Sequence, residues 1–278
     1  MARDAKPGGR STRLFPKIEL ADVKLQEWEP SAAQVDQLRE WMRKDAVHAN
    51  PDLHRIRVKA SNWAGVAGPY WPGARGEAGQ WLPVTRRDLF DLADDCLGGS
   101  WMPLMSAAFA WGHGNIGYGP ARLRSILEKN DPAQIELVLA EAVAALSRKG
   151  TEAAYRVLRP TRANVVWGLG PAFFTKFLYF AGWRMEITDP KPLILDAQVA
   201  ASVRVIAQSV YTRAGIDDDM ASWLWPKGNW WAYRYGQYIE LAHRLASLLP
   251  DDLPHRPDVL EFALFDTDLR NTGIWGLA

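Results

Sequence analysis

The sequence predicts a mainly α-helical protein, and three observations carry that expectation. After Thr85, apolar residues recur at three- and four-residue spacing through most of the chain, the period of a helix that buries one face. Helix-start residues punctuate these runs: Thr85, Asp131, Thr151 and Asp196 each stand where a periodic run begins. Strict alternation, the signature of a half-buried strand, is confined to Arg55-Ile56-Arg57-Val58-Lys59. With 278 residues, 48% of them hydrophobic, the chain can bury a substantial core. The single cysteine, Cys96, excludes a disulfide framework and a cysteine-based zinc site. No metal and no cofactor is called for.

Taken in order, residues 1–13 form a basic tail rich in Gly, Pro and Arg and are expected to be disordered. Residues 14–84 read as a less regular N-terminal extension. Its first part, Leu14 to Glu27, has a mixed pattern with room for a short strand. Ser31 caps a helix to about Val47, with Val35, Leu38, Trp41 and Met42 on one face. The alternating stretch 55–59 is an exposed strand or arm, and the Gly- and Pro-rich segment to Pro83 is an irregular loop anchored by Trp63, Tyr70, Trp71 and Trp81. Residues 85–278 form the helical core. Helices are expected after Thr85, at 103–111, from Asp131-Pro132 to Arg148 with Gly150 as its stop, and from Thr151 to Leu158. Four glycines between Gly112 and Gly119 predict a loop whose backbone approaches something closely, DNA or a neighbouring helix. Further helices follow at 161–167, from Pro171, from Asp196 to Tyr211, up to Leu249, and over 257–265. Asp217-Asp218-Asp219 reads as a solvated turn and cap, because neighbours in a chain cannot all point at one ion.

One stretch stands apart, Trp167 to Asp196: WGLGPAFFTKFLYFAGWRMEITDPKPLILD. Gly168-Leu169-Gly170-Pro171 is a tight turn, and Pro171 suits the first position of a helix because its missing N–H would be unpaired there. The helix that follows is apolar nearly all round, with Phe173, Phe174, Phe177, Leu178 and Phe180, yet it carries Lys176. An ammonium in such surroundings needs a partner or a lowered pKa, and a lysine that is part-time neutral is a nucleophile. The bland alternative is a stem that packs while its head reaches solvent. Asp196 follows Leu193-Ile194-Leu195 and is an N-cap, with or without a second role.

A short helix, a Gly-hydrophobic-Gly-Pro hairpin, a second helix and an aspartate at the start of the next helix resemble the helix-hairpin-helix DNA glycosylases. The added lysine resembles the 8-oxoguanine branch. The match covers Thr161 to Ala207, and the flanking helices share only general helical character. The resemblance implies a helix-hairpin-helix glycosylase-like helical core, with Lys176 attacking the sugar C1′ and Asp196 supporting the cationic transition state. It also implies DNA contacts from the hairpin at Gly168, Gly170 and Ala172, to which Arg162 of the basic cluster before it and His113 and Asn115 of the glycine-rich loop are added as candidates. Phe173, Trp230, Phe262 and Phe265 are candidate walls of a base pocket. One departure stands out: in the family the lysine directly follows the Gly-Pro or Gly-Thr of the hairpin, where this chain has Ala172. Lys176 lies one turn on, displaced by ~40° around the helix and so still on the same face.

Net charge is +1, from 33 basic and 32 acidic residues, so composition alone does not announce nucleic-acid binding. Local basic clusters do occur, at Arg3 to Arg13, at Arg55, Arg57 and Lys59, and at Arg156, Arg159 and Arg162. Of the fourteen Trp residues, most are expected in the core and two or three as aromatic walls for a flipped base. The partner implied is double-stranded DNA carrying a damaged or modified base, 8-oxoguanine first, with AP lyase activity following from a lysine Schiff base. The competing readings are a non-enzymatic helix-hairpin-helix DNA-binding module and a monofunctional glycosylase in which Asp196 alone is catalytic. A monomer without a membrane span, without a signal peptide, and so cytoplasmic and nucleoid-associated, completes the expectation.

Overall fold

The computed structural model describes residues 11–72, 79–114, 118–159, 166–187, 190–217 and 219–276, with fifteen α-helices and one two-stranded sheet among them. The N-terminal part comprises α1 (Ser11–Gln26), α2 (Ala32–Lys44), α3 (Ala46–Ala49), β1 (Arg55–Lys59), α4 (Ala60–Ala67) and β2 (Trp81–Thr85). Then come α5 (Arg86–Asp95), α6 (Met102–His113), α7 (Gly119–Lys129), α8 (Pro132–Lys149) and α9 (Thr151–Leu158). The chain continues through α10 (Pro171–Gly182), α11 (Ala197–Arg213), α12 (Asp219–Leu224), α13 (Ala232–Ser247), α14 (Pro257–Phe265) and α15 (Thr267–Asn271). The protein is thus mainly α, and no described helix is long and apolar enough to cross a membrane.

Where sequence supplied caps, the helices start as expected. Thr85 and Asp88 form a reciprocal capping box at α5, Asp131 accepts from the Ala133 amide at α8, and α8 stops at Gly150, whose φ is +83°. At the centre lies α10, packed by α5, α6, α8 and α9, with Phe174, Phe177, Leu178, Tyr179 and Phe180 all buried. The tryptophans divide as well: Trp63, Trp225, Trp230 and Trp275 are among the largest fully buried side chains, while Trp167, Trp223 and Trp231 are exposed.

Four local expectations are corrected. The stretch Leu14 to Glu27 holds no strand; it belongs to α1, which begins at Ser11 and so includes residues 11–13 of the expected tail, while residues 1–10 lie outside the described residues. Tertiary contact explains it. Ala21 and Leu25 bury completely against α11 and α13, and buried Asp22 is ion-paired with Arg234 and accepts from Tyr233. The second helix ends at Lys44 rather than Val47, because Asp45 turns extended (φ −148°, ψ 135°) and caps α3 with its own side chain. The segment 60–83 is not all loop: α4 buries Ala60, Trp63, Ala64 and Ala67, and β2 pairs antiparallel with β1, Arg57 opposite Pro83 and Lys59 opposite Trp81. Lastly, Gly112 and His113 are the final turn of α6, and Gly119-Pro120 opens α7, an amphipathic helix that glycine content concealed. Residues 161–165 of the expected helix before the Gly-Leu-Gly-Pro turn lie outside the described residues, and Val166 and Trp167 are not helical.

Candidate active site

The site is built on the turn before α10. Gly168 has φ +90°, and a Cβ there would come within 2.8 Å of Ile126 Cγ1, so this glycine is required by the turn itself. Gly170 differs. Its φ is −85° and nothing lies within 4 Å of where a Cβ would sit, so the space beside it is open to an outside group. Asn130 clasps the turn, accepting from the Trp167 N–H at 2.8 Å and donating to the Trp167 and Ile126 carbonyls at 3.1 and 2.7 Å. Pro171 has no N–H, which leaves that of Ala172 as the first donor of α10, at the positive end of the helix dipole. If the open space at Gly170 takes a DNA phosphate, Gly170→Leu should fold normally while weakening binding to lesion and plain duplexes alike. Thermal melting beside fluorescence anisotropy checks this, and an unequal loss between the two duplexes would argue against a backbone grip at the turn.

Lys176, on the next turn, is 5% exposed. A helical side chain leans toward its own N-terminus, and Nζ accordingly reaches back to donate to the Ala172 carbonyl oxygen at 3.0 Å. The amine is thus delivered to the level of Ala172. There Nζ also donates to Asp196 Oδ2 at 3.0 Å, within an ion pair whose side chains are 7% and 14% exposed. Gly112 of α6 makes room for the lysine stem: a Cβ at Gly112 would lie 2.8 Å from Lys176 Cδ. The close approach expected of the glycine-rich segment is therefore, at this residue, to a neighbouring helix.

Asp196 is both cap and partner. Its Oδ1 accepts from the Gln198 and Val199 amides at 3.0 and 3.2 Å, while Oδ2 faces the lysine. Burial works to raise this carboxyl, but Lys176 and the two amides outweigh it and hold it below the usual carboxylate range. Its position is fixed by the buried segment Leu193–Leu195. The Leu193 and Ile194 carbonyls accept from Tyr235 and Tyr238 at 2.7 and 2.9 Å, and the Leu195 N–H donates to Thr175 Oγ1 of α10 at 3.2 Å.

Beside the pair lies a cavity of about 80 Å³ lined by His54, Ile56, Arg86, Trp111, Gly112, Lys176, Ile194, Asp196, Glu261 and Phe265. Its floor holds a second ion pair, 1% exposed on both sides, in which Arg86 Nη1 donates to Glu261 Oε2 at 2.7 Å and to the Tyr179 hydroxyl at 3.0 Å. Burial pushes the Glu261 carboxyl up to about 7 against the pull of Arg86. Burial, helped by Arg86 and His48, lowers His54 to about 3, so its imidazole is neutral. Arg86 Nε, Trp111 Nε1 and His54 Nδ1 are buried without hydrogen-bond partners among the described residues. Three unpaired polar atoms on residues around one cavity are a costly arrangement unless a ligand or water meets them.

The other residues singled out in the sequence divide. Phe173 is half-buried in a stack, 4.2 Å from the Phe109 ring and 4.6 Å from that of His113, with the Arg122 guanidinium 4.9 Å away. Burial, with Arg122 and Lys176 nearby, lowers His113 to about 4, so it is neutral. Phe265 lines the cavity at its exposed edge, whereas Phe262 lies a layer behind, stacked on His54 at 4.6 Å. Trp230 is not brought to this place: it is buried, donates to the Pro226 carbonyl, and borders a separate groove with Trp223, Trp231 and Tyr233. Arg162 and Asn115 lie outside the described residues. Sequence reading passed over Asn130, Thr175, Arg86 and Glu261. Only Glu261 carried a signal, a charge inside the apolar run of Pro257–Phe265, the same feature that drew attention to Lys176.

A family model described as "Putative 8-oxoguanine DNA glycosylase OGG-like protein" matches residues 49–265. That span holds Asn130, the Gly168–Pro171 turn, Lys176, Asp196 and every residue lining the cavity. No curated protein and no solved structure matches the chain.

Proposed function

The chain belongs to the 8-oxoguanine DNA glycosylase OGG-like family, and from that premise we propose that it removes 8-oxoguanine from double-stranded DNA through a Schiff base on Lys176. The observation that carries this reading is the buried contact of Lys176 Nζ with Asp196 Oδ2 at 3.0 Å, on the wall of a cavity. The C1′ of a stacked nucleotide is out of reach, so the target must be extruded. The turn at Gly168 to Ala172 holds a phosphate of that strand, with the open space at Gly170 and the Ala172 amide at the helix N-terminus facing it. The Lys176 amine, its ammonium having given one proton toward the base, forms a bond to C1′ as the glycosidic C–N bond breaks. The proton that the amine gives up balances the negative charge left on the departing base. Positive charge that develops on the sugar is met by the Asp196 carboxylate, already ionised and fixed in direction by its cap. Breaking of the C1′–O4′ bond, with O4′ taking a proton from the amine, leaves a protonated imine, from which loss of the C2′ proton and departure of the 3′-phosphate cleave the strand on the 3′ side.

The chemistry of the cavity floor favours a base with an –NH–C(=O)– edge. Glu261 is an acceptor for ring N–H groups, and Trp111 Nε1 and Arg86 Nε are donors for carbonyl oxygen. At about 80 Å³ the cavity is smaller than the ~150 Å³ that admits benzene. Entry of a base therefore widens it, most simply at Phe265, the edge exposed to solvent.

Borohydride reduction during reaction with an 8-oxoguanine duplex tests the proposal. A covalent protein–DNA adduct is expected. Free base without adduct would instead mean a monofunctional glycosylase, and duplex affinity with neither product would mean a binding module.

A further inference from the structure

We propose that the β1–β2 ribbon is a second DNA-binding surface, one that grips backbone phosphates next to the extruded nucleotide; the inference rests on the glycosylase reading above. Residues along a strand point alternately to opposite faces, and here the two faces have different chemistry. Inward, Ile56 lines the Lys176–Asp196 cavity, as does His54 just before the strand, and Val58 is fully buried. Outward stand Arg55, Arg57 and Lys59, joined from β2 by Pro83 and Trp81, which are the register partners of Arg57 and Lys59.

None of these three cations is in an ion pair among the described residues, although Arg86 in the cavity and Arg256 are. Arg55 shares a groove with Asp45 and Asp52, the latter paired with Arg256, but Arg57 and Lys59 do not line it. Instead the Lys59 ammonium and the Arg57 guanidinium lie 5.0 and 6.0 Å from the Trp81 ring, which steers them without neutralising them. Charges two residues apart on a strand are ~6.6 Å apart, about two base steps of axial rise along one DNA strand at ~3.4 Å each. Because Ile56 touches the cavity and its neighbours Arg55 and Arg57 face out, these cations sit within a few residues' length of the lysine. A duplex seated on the Gly170 turn with one nucleotide in the cavity passes over this ribbon.

The test is duplex affinity against salt for wild type, for Arg57→Gln with Lys59→Gln, and for Pro83→Glu, which places a negative charge on the same face without removing a cation. All three residues are on the solvent side, and melting temperatures establish that the variants are folded. Loss of two phosphate contacts should flatten the slope of log K against log salt by about two units, with equal loss for lesion and plain duplexes. Pro83→Glu should weaken both equally. A slope and affinity unchanged in both variants would overturn the ribbon while leaving adduct formation by wild type intact. Failure of wild type to bind duplex at all would overturn the ribbon and the glycosylase reading together.

Discussion

Lys176→Gln should give no borohydride-trapped adduct and no strand cleavage on 8-oxoguanine DNA, a loss on the order of 10⁴-fold or more, the scale on which removal of an attacking group is felt. Duplex affinity should stay close to wild type, because the residue is 5% exposed and the phosphate grip proposed above is assigned to the turn and not to this side chain. The amide of Gln can still donate to the Ala172 carbonyl, but it puts no positive charge opposite Asp196 Oδ2. Some stability is lost with the ion pair, so the melting temperature has to be measured beside the adduct. Trapping at the wild-type level in a folded variant would remove Lys176 from the chemistry. Gly112→Ala gives the same question a gentler form, since a Cβ 2.8 Å from Lys176 Cδ shifts the amine without deleting it.

What sequence made legible follows from the range of the forces involved. Helix starts marked by Thr85, Asp131 and Asp196 are set by a side chain and an amide two or three residues away, so a local pattern suffices. The α1 helix depends on Asp22 meeting Arg234, more than two hundred residues on, and no window of sequence contains both. The α4 helix was concealed by Gly65 within it and Gly68-Pro69 after it, and α7 by Gly119-Pro120 at its start, where Pro is tolerated. At the site, Lys176 and Asp196 were visible because each breaks a local rule, a charge in an apolar helix and a cap after an apolar run. Arg86 breaks none. It follows a good cap among other charges, and only the packing of Trp111, Tyr179 and Phe262 around its guanidinium shows that it is inside. Trp230 misled for the opposite reason: its neighbours Trp231 and Tyr233 are exposed, but its own ring faces the core.

Asp196→Asn should slow base release by a factor on the order of 100 or more, the usual cost of removing a charge aimed at a transition state. The geometry changes what stability can say about it. Asparagine keeps the Oδ1 that accepts from Gln198 and Val199, so the cap survives. In place of Oδ2, however, it sets an NH₂ against the buried ammonium, donor against donor. Breaking one side of a buried pair costs up to about 3–5 kcal/mol, so this variant should melt lower even though its cap is intact. Acidity separates the two effects. Asp196 has a folded pKa below its unfolded value, so its contribution is fully present above the ordinary carboxylate range and is lost as pH falls through the folded value. The deficit of the variant against wild type should accordingly be full at neutral pH and shrink below about pH 4. Adding Lys176→Gln should recover much of the stability, since Gln and Asn can bond to each other, while restoring no activity, a coupling that a double-mutant cycle reads directly. A single Asp196→Asn variant that releases base at the wild-type rate, with its melting temperature unchanged at pH 7, would reduce the residue to a helix cap and leave the chemistry to Lys176 alone.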